Sequence, residues 1–294
     1  MFRHMQRPLL IVNPFASSVT EERIAAVVAE LGDVEVRRTE HPGHATELAR
    51  EADGRAALYV LSGDGGYNEA LNGLDADVPV GFIPGGGANV LPRALGLPRD
   101  PIAAARRVRT GRTRRISLGR VNRRRFAFAA GIGLSAEIVR RVDRRGRTEE
   151  GGRAGNAMFA WTVVQVVAQR RGRFEPALEI AGRGRAAFAL VANCDPFTYA
   201  GPVPVHVAPE ARFELGLDLC APRTVTPLTI PRLLAYFGTG RGHLRARDLI
   251  YEHDLDQIEI RCDRALPLQV DGEDLGDVDA AHFECEREVL RVLV

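Results

Sequence analysis

The sequence predicts an α/β domain built on a parallel sheet, joined to a second domain of short β-strands. Three observations predict it. Apolar strand runs alternate with helical patterns through the first third of the chain. Two of the strand-to-helix joins there, residues 63–68 and 85–89, are glycine-rich turns. Beyond residue 111 the pattern changes to short strands separated by Pro and Gly turns, which suits a sandwich or open barrel. The expected domains are residues 1–113 with 287–294, and residues 114–286.

Each element follows from its residues. Pro8-Leu9-Leu10-Ile11-Val12 reads as a strand that ends at Asn13-Pro14. Thr20 caps a helix with Ile24, Val27, Val28 and Leu31 on one face. Val34-Glu35-Val36 is a second strand, and residues 45–50 begin a second helix. Ala57-Leu58-Tyr59-Val60-Leu61 and Val80-Gly81-Phe82-Ile83 are the strands that feed the two glycine turns. Asp100 and Pro101 start a helix through Ala103, Ala104 and Val108. In the second domain, strands are expected at 115–121 and 125–131, then a helix over 135–141 and an Arg/Gly-rich stretch over 140–155. The apolar run 157–168 reads as a buried helix, short of the ~18 residues that suggest a membrane span. Short strands follow near 177–180, 186–193, 217–220, 257–261 and 266–270. The apolar end, residues 288–294, must pack against something.

Composition bounds the function. The 294 residues are 45% hydrophobic and 27% charged, as in globular proteins, with a net charge of +2. All 40 Lys+Arg residues are arginine. That excludes a Walker-type phosphate loop and a Schiff-base enzyme, both of which need a lysine amine. Cys194, Cys220, Cys262 and Cys285 are too scattered for a zinc pair. Residues 1–7 are polar and the apolar run after them is too short for a signal peptide, so a cytoplasmic location is expected. With 6% aromatic residues and no stacking platform, nucleic acid is not an expected partner.

The turn Leu61-Ser62-Gly63-Asp64-Gly65-Gly66-Tyr67-Asn68-Glu69 carries the chemistry. Glycines let the backbone approach a ligand, and the helix start offers N–H groups that suit a phosphate. Asp64 would repel a bare phosphate unless a cation lay between them. The turn therefore reads as a site for a nucleotide with its magnesium, and Asp64 as the metal ligand. Pro84-Gly85-Gly86-Gly87-Ala88-Asn89 repeats the construction, placing Gly86, Gly87 and Asn89 as further nucleotide contacts. Asn13 and both turns fall at carboxyl ends of strands, where an open parallel sheet binds its ligands. Each turn on its own could be an ordinary tight connection.

These motifs resemble the bacterial diacylglycerol kinase and sphingosine kinase catalytic family. The segments are Val12-Asn13-Pro14, residues 62–73, residues 83–90, residues 126–136 and Val270-Asp271-Gly272-Glu273. NAD kinases share the first glycine turn and lack the second in this form. The resemblance implies an NAD-kinase-like nucleotide domain and a β-sandwich domain with ATP between them, and a last strand that returns to the first domain. It implies an ATP- and magnesium-dependent lipid kinase acting in phospholipid biosynthesis, with a lipid hydroxyl at the membrane surface as acceptor. Association with the inner membrane surface and a homodimer follow as open expectations, and no transmembrane segment is expected. Carried over, Asn13 and the loop through Ser17 approach the nucleotide, as does Thr39. Gly63, Asp64, Gly65, Gly66, Asn68 and Glu69 form the triphosphate and magnesium turn. Glu273 falls where the family places the proton acceptor, with Asp271 as its partner. As neighbouring acids, Asp271, Glu273 and Asp274 are expected to raise one another's pKa or share a magnesium. A solvated β-turn is the plain alternative for this segment.

The chain departs from the family pattern in places. The family's first turn begins with glycine, here Ser62, and carries threonine where this chain has Gly66. Gly87 likewise replaces a threonine. Two hydroxyls are therefore missing, and altered affinity is expected. Leu215 stands where the family has an aspartate that holds a structural magnesium, so that site is expected to be absent unless Glu214 or Asp218 rebuilds it. Pro42 and Gly43 separate His41 from His44, so no shared helical face and no metal pair is expected. The arginines of 140–153 read as a solvated loop or an anionic-membrane contact. The alternatives to a lipid kinase are a non-catalytic nucleotide- or lipid-binding protein and a kinase of another hydroxyl acceptor.

Overall fold

The computed structural model describes residues 7–75, 77–146 and 156–294. The chain divides into two units: one runs to Ile116 and takes in Glu288–Val294, and the other is Ser117–Arg287.

In the first unit β1 (Leu9–Val12), α1 (Glu21–Leu31), β2 (Glu35–Arg38), α2 (His44–Ala49), β3 (Leu58–Ser62), α3 (Asp64–Gly73), β4 (Val80–Pro84), α4 (Val90–Ala94) and α5 (Pro101–Thr110) follow in order. The strands lie parallel in the order β4-β3-β1-β2. Every residue of β1, β3 and β4 is buried, which explains their unbroken apolar runs. β2 is the half-exposed edge. Thr20 caps α1 by accepting from Arg23 N, and Asp100 caps α5 by accepting from Ala103 N. α2 crosses α3 so closely that a Cβ on Gly73 would lie 2.0 Å from the Thr46 carbonyl oxygen. The apolar C-terminus belongs to this unit: Val292 pairs with Val80, and Val294 exchanges backbone hydrogen bonds with Arg112.

The second unit holds most of β5 (Thr113–Val121), then β6 (Arg124–Phe126), β7 (Ala129–Ile132), α6 (Leu134–Gly146), α7 (Asn156–Gln169), β8 (Leu178–Ile180), β9 (Gly184–Ala186) and β10 (Ala189–Ala192). It continues with β11 (Thr198–Ala200), β12 (Val203–Val205), β13 (Leu217–Pro222), α8 (Ile230–Thr239), β14 (Leu249–Leu255), β15 (Gln257–Val270) and most of β16 (Glu273–Leu293). The path β14-β13-β10-β7-β15-β16 is antiparallel throughout. Phe126 and Phe283, both fully buried, meet edge to face at 6.3 Å in its core.

Four expectations are corrected here. The strand expected over 125–131 is broken at Ala127-Phe128, because the Asp271 carboxylate accepts the N–H groups that a ladder would use. The strands expected at 257–261 and 266–270 are one strand, β15, with an irregular register between Arg261 and Leu266. α6 runs beyond its expected end at residue 141, to Gly146. α7 is not a buried helix: Trp161 is 59% and Val164 56% exposed.

Candidate active site

The two glycine turns close on one another. Gly85 N donates to Ser62 O at 2.7 Å, and Ser18 N donates to Gly85 O at 2.9 Å. Tyr67, buried in α3, reaches across to donate to Ile83 O. Burial and the Asp64 charge push its hydroxyl well above the ordinary tyrosine range. A Cβ on Gly86 would lie 2.7 Å from Gly63 Cα, so glycine at 86 is what lets the turns touch. Asn89 holds the second turn from a left-handed backbone (φ 48°): Oδ1 accepts from Gly86 N and Nδ2 donates to Gly86 O. Asp64, nearly buried at the start of α3, accepts from Leu91 N at 3.2 Å and so ties α3 to α4.

Beside the turns lies a cavity of about 370 Å³, lined by Asn13, Phe15, Thr39, Ser62, Gly66 and Glu69 among others. Four of the expected nucleotide contacts, Asn13, Thr39, Gly66 and Glu69, thus meet in one place. A wider groove of about 600 Å³ near Glu21 and Arg38 holds none of them. Glu69 also accepts from Ala45 N at 3.3 Å, where Gly43 gives α2 no side-chain cap. Asn68 is fully buried and accepts from Asn72 Nδ2. Gly65 is buried in the first turn of α3. Ser17 is exposed and outside the cavity lining, while Ser18 makes the bonds to the second turn. Gly87 is exposed with open space about it. Sequence reasoning missed Ser62 and Ser18, whereas Phe15 falls within the expected loop through Ser17. Ser62 was legible as a departure from glycine in the first turn.

The acidic turn lies in the second unit. Val270 pairs with Glu273 across a two-residue hairpin whose central residues, Asp271 (φ 47°) and Gly272 (φ 82°), both take positive φ. Asp271 is 4% exposed, and its carboxylate accepts from Ala127 N, Phe128 N and Ala129 N at 2.7–3.1 Å. Glu273 is partly exposed and accepts from Arg124 Nη2 at 3.3 Å. Asp274 is not raised by its acidic neighbours. Burial pushes the Asp274 carboxyl up, but hydrogen bonds from Arg140 and Gly276 N outweigh it and hold it below the usual range.

The metal expectations divide. A single buried carboxylate such as Asp64, which already accepts from Leu91 N, is compatible with magnesium, which takes one or two carboxylates and completes its shell with phosphate oxygens and water. His41 lies outside α2, so the two histidines share no helical face, yet their rings come together, stacked at 4.7 Å. Gly43 turns the chain at φ 86° and brings His44 back over His41. Among the described residues, these two and Glu47 bring potential ligand atoms within 4.8 Å. His44 Nδ1 already accepts from Glu40 N. Asp218 is fully buried and accepts from Tyr251 Oη, His253 Nδ1 and Asp254 N, so its oxygens serve a network across β13 and β14. Burial raises its pKa.

The class that this fold and these turns define is matched by known proteins. Residues 7–121 match the diacylglycerol kinase catalytic domain. The match covers most of the first unit and the start of the second, and the relatives that the chain resembles are named as diacylglycerol or lipid kinases. The chain is 34% identical to a diacylglycerol kinase of Bacillus subtilis over 46% of this chain and 48% of the relative, so the match spans about half that protein's length. It is 28% identical to a probable lipid kinase YegS-like of Pseudomonas fluorescens over 98% of this chain and 95% of the relative. In fold it is similar to a diacylglycerol kinase from Bacillus anthracis, with TM-score 0.72 at 19% identity over 99% and 97% of the two chains. An NAD kinase from Archaeoglobus fulgidus solved in complex with ATP aligns with TM-score 0.51 at 13% identity over 98% and 93%. An α/β domain followed by a β-rich domain is the fold expected from the motifs.

Proposed function

We propose that this protein is a lipid kinase that transfers the γ-phosphate of ATP to the hydroxyl of diacylglycerol or a related lipid. The observation that carries the reading is the closure of the two glycine turns beside a cavity that gathers Asn13, Thr39, Gly66 and Glu69. Helix α3 contributes Gly66, in its first turn, and Glu69 to the cavity, and a helix start with its backbone N–H groups and dipole favours phosphate. Asp64 would hold magnesium, which when bound offsets the charge of the phosphate oxygens. Glu273 takes the proton of the lipid hydroxyl as its oxygen bonds to the γ-phosphorus; the bond to the bridging oxygen breaks and ADP leaves. Arg124 orients the Glu273 carboxylate. Asp271 fixes the turn on which Glu273 stands, a positioning part and not a second base.

The acceptor lies in a bilayer, so the protein works at the inner membrane surface. No described helix is long and apolar enough to cross a membrane. The arginines of 140–153 are weaker support for surface contact than the sequence suggests. Arg140 pairs with Asp274 and Asp277, and Arg141 with Glu137. Residues 147–155 lie outside the described residues. The region of α8 is better support. Leu228 is 92%, Leu234 63% and Leu244 74% exposed. Residues 219–247 carry five arginines and no Asp or Glu, a composition that fits an anionic bilayer.

The test is transfer of labelled phosphate from ATP to a panel of lipids by the wild type and by Glu273→Gln. Label should enter a lipid with the wild type, and the variant should lose about 100-fold or more in kcat with its ATP affinity kept. ATP binding without labelled lipid would favour a non-catalytic binding protein. Label confined to water-soluble product would favour a different hydroxyl acceptor.

A further inference from the structure

We propose that Ser62 supplies a hydroxyl contact to the phosphate-bearing ligand of the 370 Å³ cavity, and that residue 66 is glycine because residue 62 is serine. The inference rests on the cavity being the nucleotide site. Ser62 ends β3, is 1% exposed, and lines the cavity. Its Oγ has no hydrogen-bond partner among the described residues. A buried hydroxyl left unpaired is unfavourable, so such groups are normally matched by water or ligand. Here the hydroxyl sits one residue before Gly63, the N-cap of α3, which offers no side chain to the first turn. A phosphate oxygen at that helix start would meet the hydroxyl and the N–H groups together.

Gly66 supplies the second observation. It lies within α3 and its φ is not positive, so the backbone does not require glycine there. Glycine inside a helix is unfavourable relative to alanine. The reason for it is the neighbour. A Cβ on residue 66 would lie 2.1 Å from Ser62 Oγ and 2.9 Å from Ser62 Cβ. Rotating the hydroxyl relieves the first contact and leaves the second. Positions 62 and 66 therefore share one side-chain space, which this chain fills from the strand and the glycine-then-threonine pattern fills from the helix. Of the two hydroxyls that the sequence suggests are lost, this one has moved.

The test is calorimetric titration of the full-length protein with MgATP, with melting temperatures of the unliganded variants alongside. Ser62→Ala should weaken binding about five- to tenfold and leave the melting temperature unchanged or higher, because it removes an unpaired buried hydroxyl. Gly66→Thr alone should lower both. The pair S62G/G66T should recover binding to within about threefold of the wild type. Wild-type affinity in Ser62→Ala, or a paired variant no better than Gly66→Thr alone, would overturn the exchange and leave the nucleotide reading standing. A wild type that does not bind MgATP would overturn both.

Discussion

Asp271 shows how a motif residue can be found by sequence and its work misread. Its place beside Glu273 suggests shared proton chemistry. The structure gives its carboxylate three backbone donors, Ala127 N, Phe128 N and Ala129 N. These donors lie over 140 residues away in sequence, so no local pattern announces them. The Asp64 and Asn13 expectations rest on a glycine turn and a strand end, which are local signals, whereas Thr39 rests on the family resemblance alone. Ser17 was not separable from Ser18, since only the fold shows that Ser18 meets the second turn, with its backbone N–H on Gly85 O and its hydroxyl on Gly86 O. For Asp271→Asn the amide NH2 would face N–H donors where an oxygen now accepts. The expected cost is about 3 kcal/mol of stability, from the loss of charge-assisted bonds in a buried place. A urea titration measures it. Unchanged stability would mean that the break between β6 and β7 holds without this carboxylate.

At the scale of elements, the buried parallel strands were legible because burial on both faces writes an unbroken apolar run. The breaks and bulges of the second unit were not, because non-local donors and register decide them. α7 was misread because an apolar helix of its length is usually core, whereas Trp161 and Val164 face outward here. Two glycines make a contrast in packing that the sequence does not distinguish. A Cβ on Gly73 would meet the Thr46 backbone, with the carbonyl oxygen 2.0 Å and Cα 2.9 Å away, while a Cβ on Gly87 would meet nothing within 4 Å. The Thr46 backbone cannot rotate aside, and α2 is also held to α3 by the bond from Thr46 Oγ1 to Glu69 O. Gly73→Ala should therefore destabilise the protein by about 3 kcal/mol, by forcing α2 away from α3. Gly87→Ala should fall within about 0.5 kcal/mol of the wild type. Thermal melts of the two variants side by side check the contrast, and equal melting temperatures would sink it.

Across the whole molecule the net charge of +2 conceals an uneven distribution. Most arginines with described partners face carboxylates, as Arg38 faces Glu21 and Arg106 faces Glu30. The segment around α8 has the opposite balance, with arginines but no acid in residues 219–247. Arg232 finds its partner, Asp248, only beyond that segment. The exposed Leu228, Leu234 and Leu244 stand among these charges. Leucines at such exposure gain nothing from water, and each would gain by entering a bilayer interface, while arginines beside them meet anionic headgroups. Both contributions should be visible separately. Co-sedimentation with vesicles containing phosphatidylglycerol should fall by about tenfold or more in Leu228→Ser/Leu234→Ser, whatever the salt. In Arg241→Gln/Arg247→Gln the loss should be large at low ionic strength and shrink as added salt screens the remaining attraction. Wild-type partition in the leucine pair would show that α8 does not meet the lipid. A shift in oligomeric state on substituting the leucines would instead assign the face to a second copy of the chain.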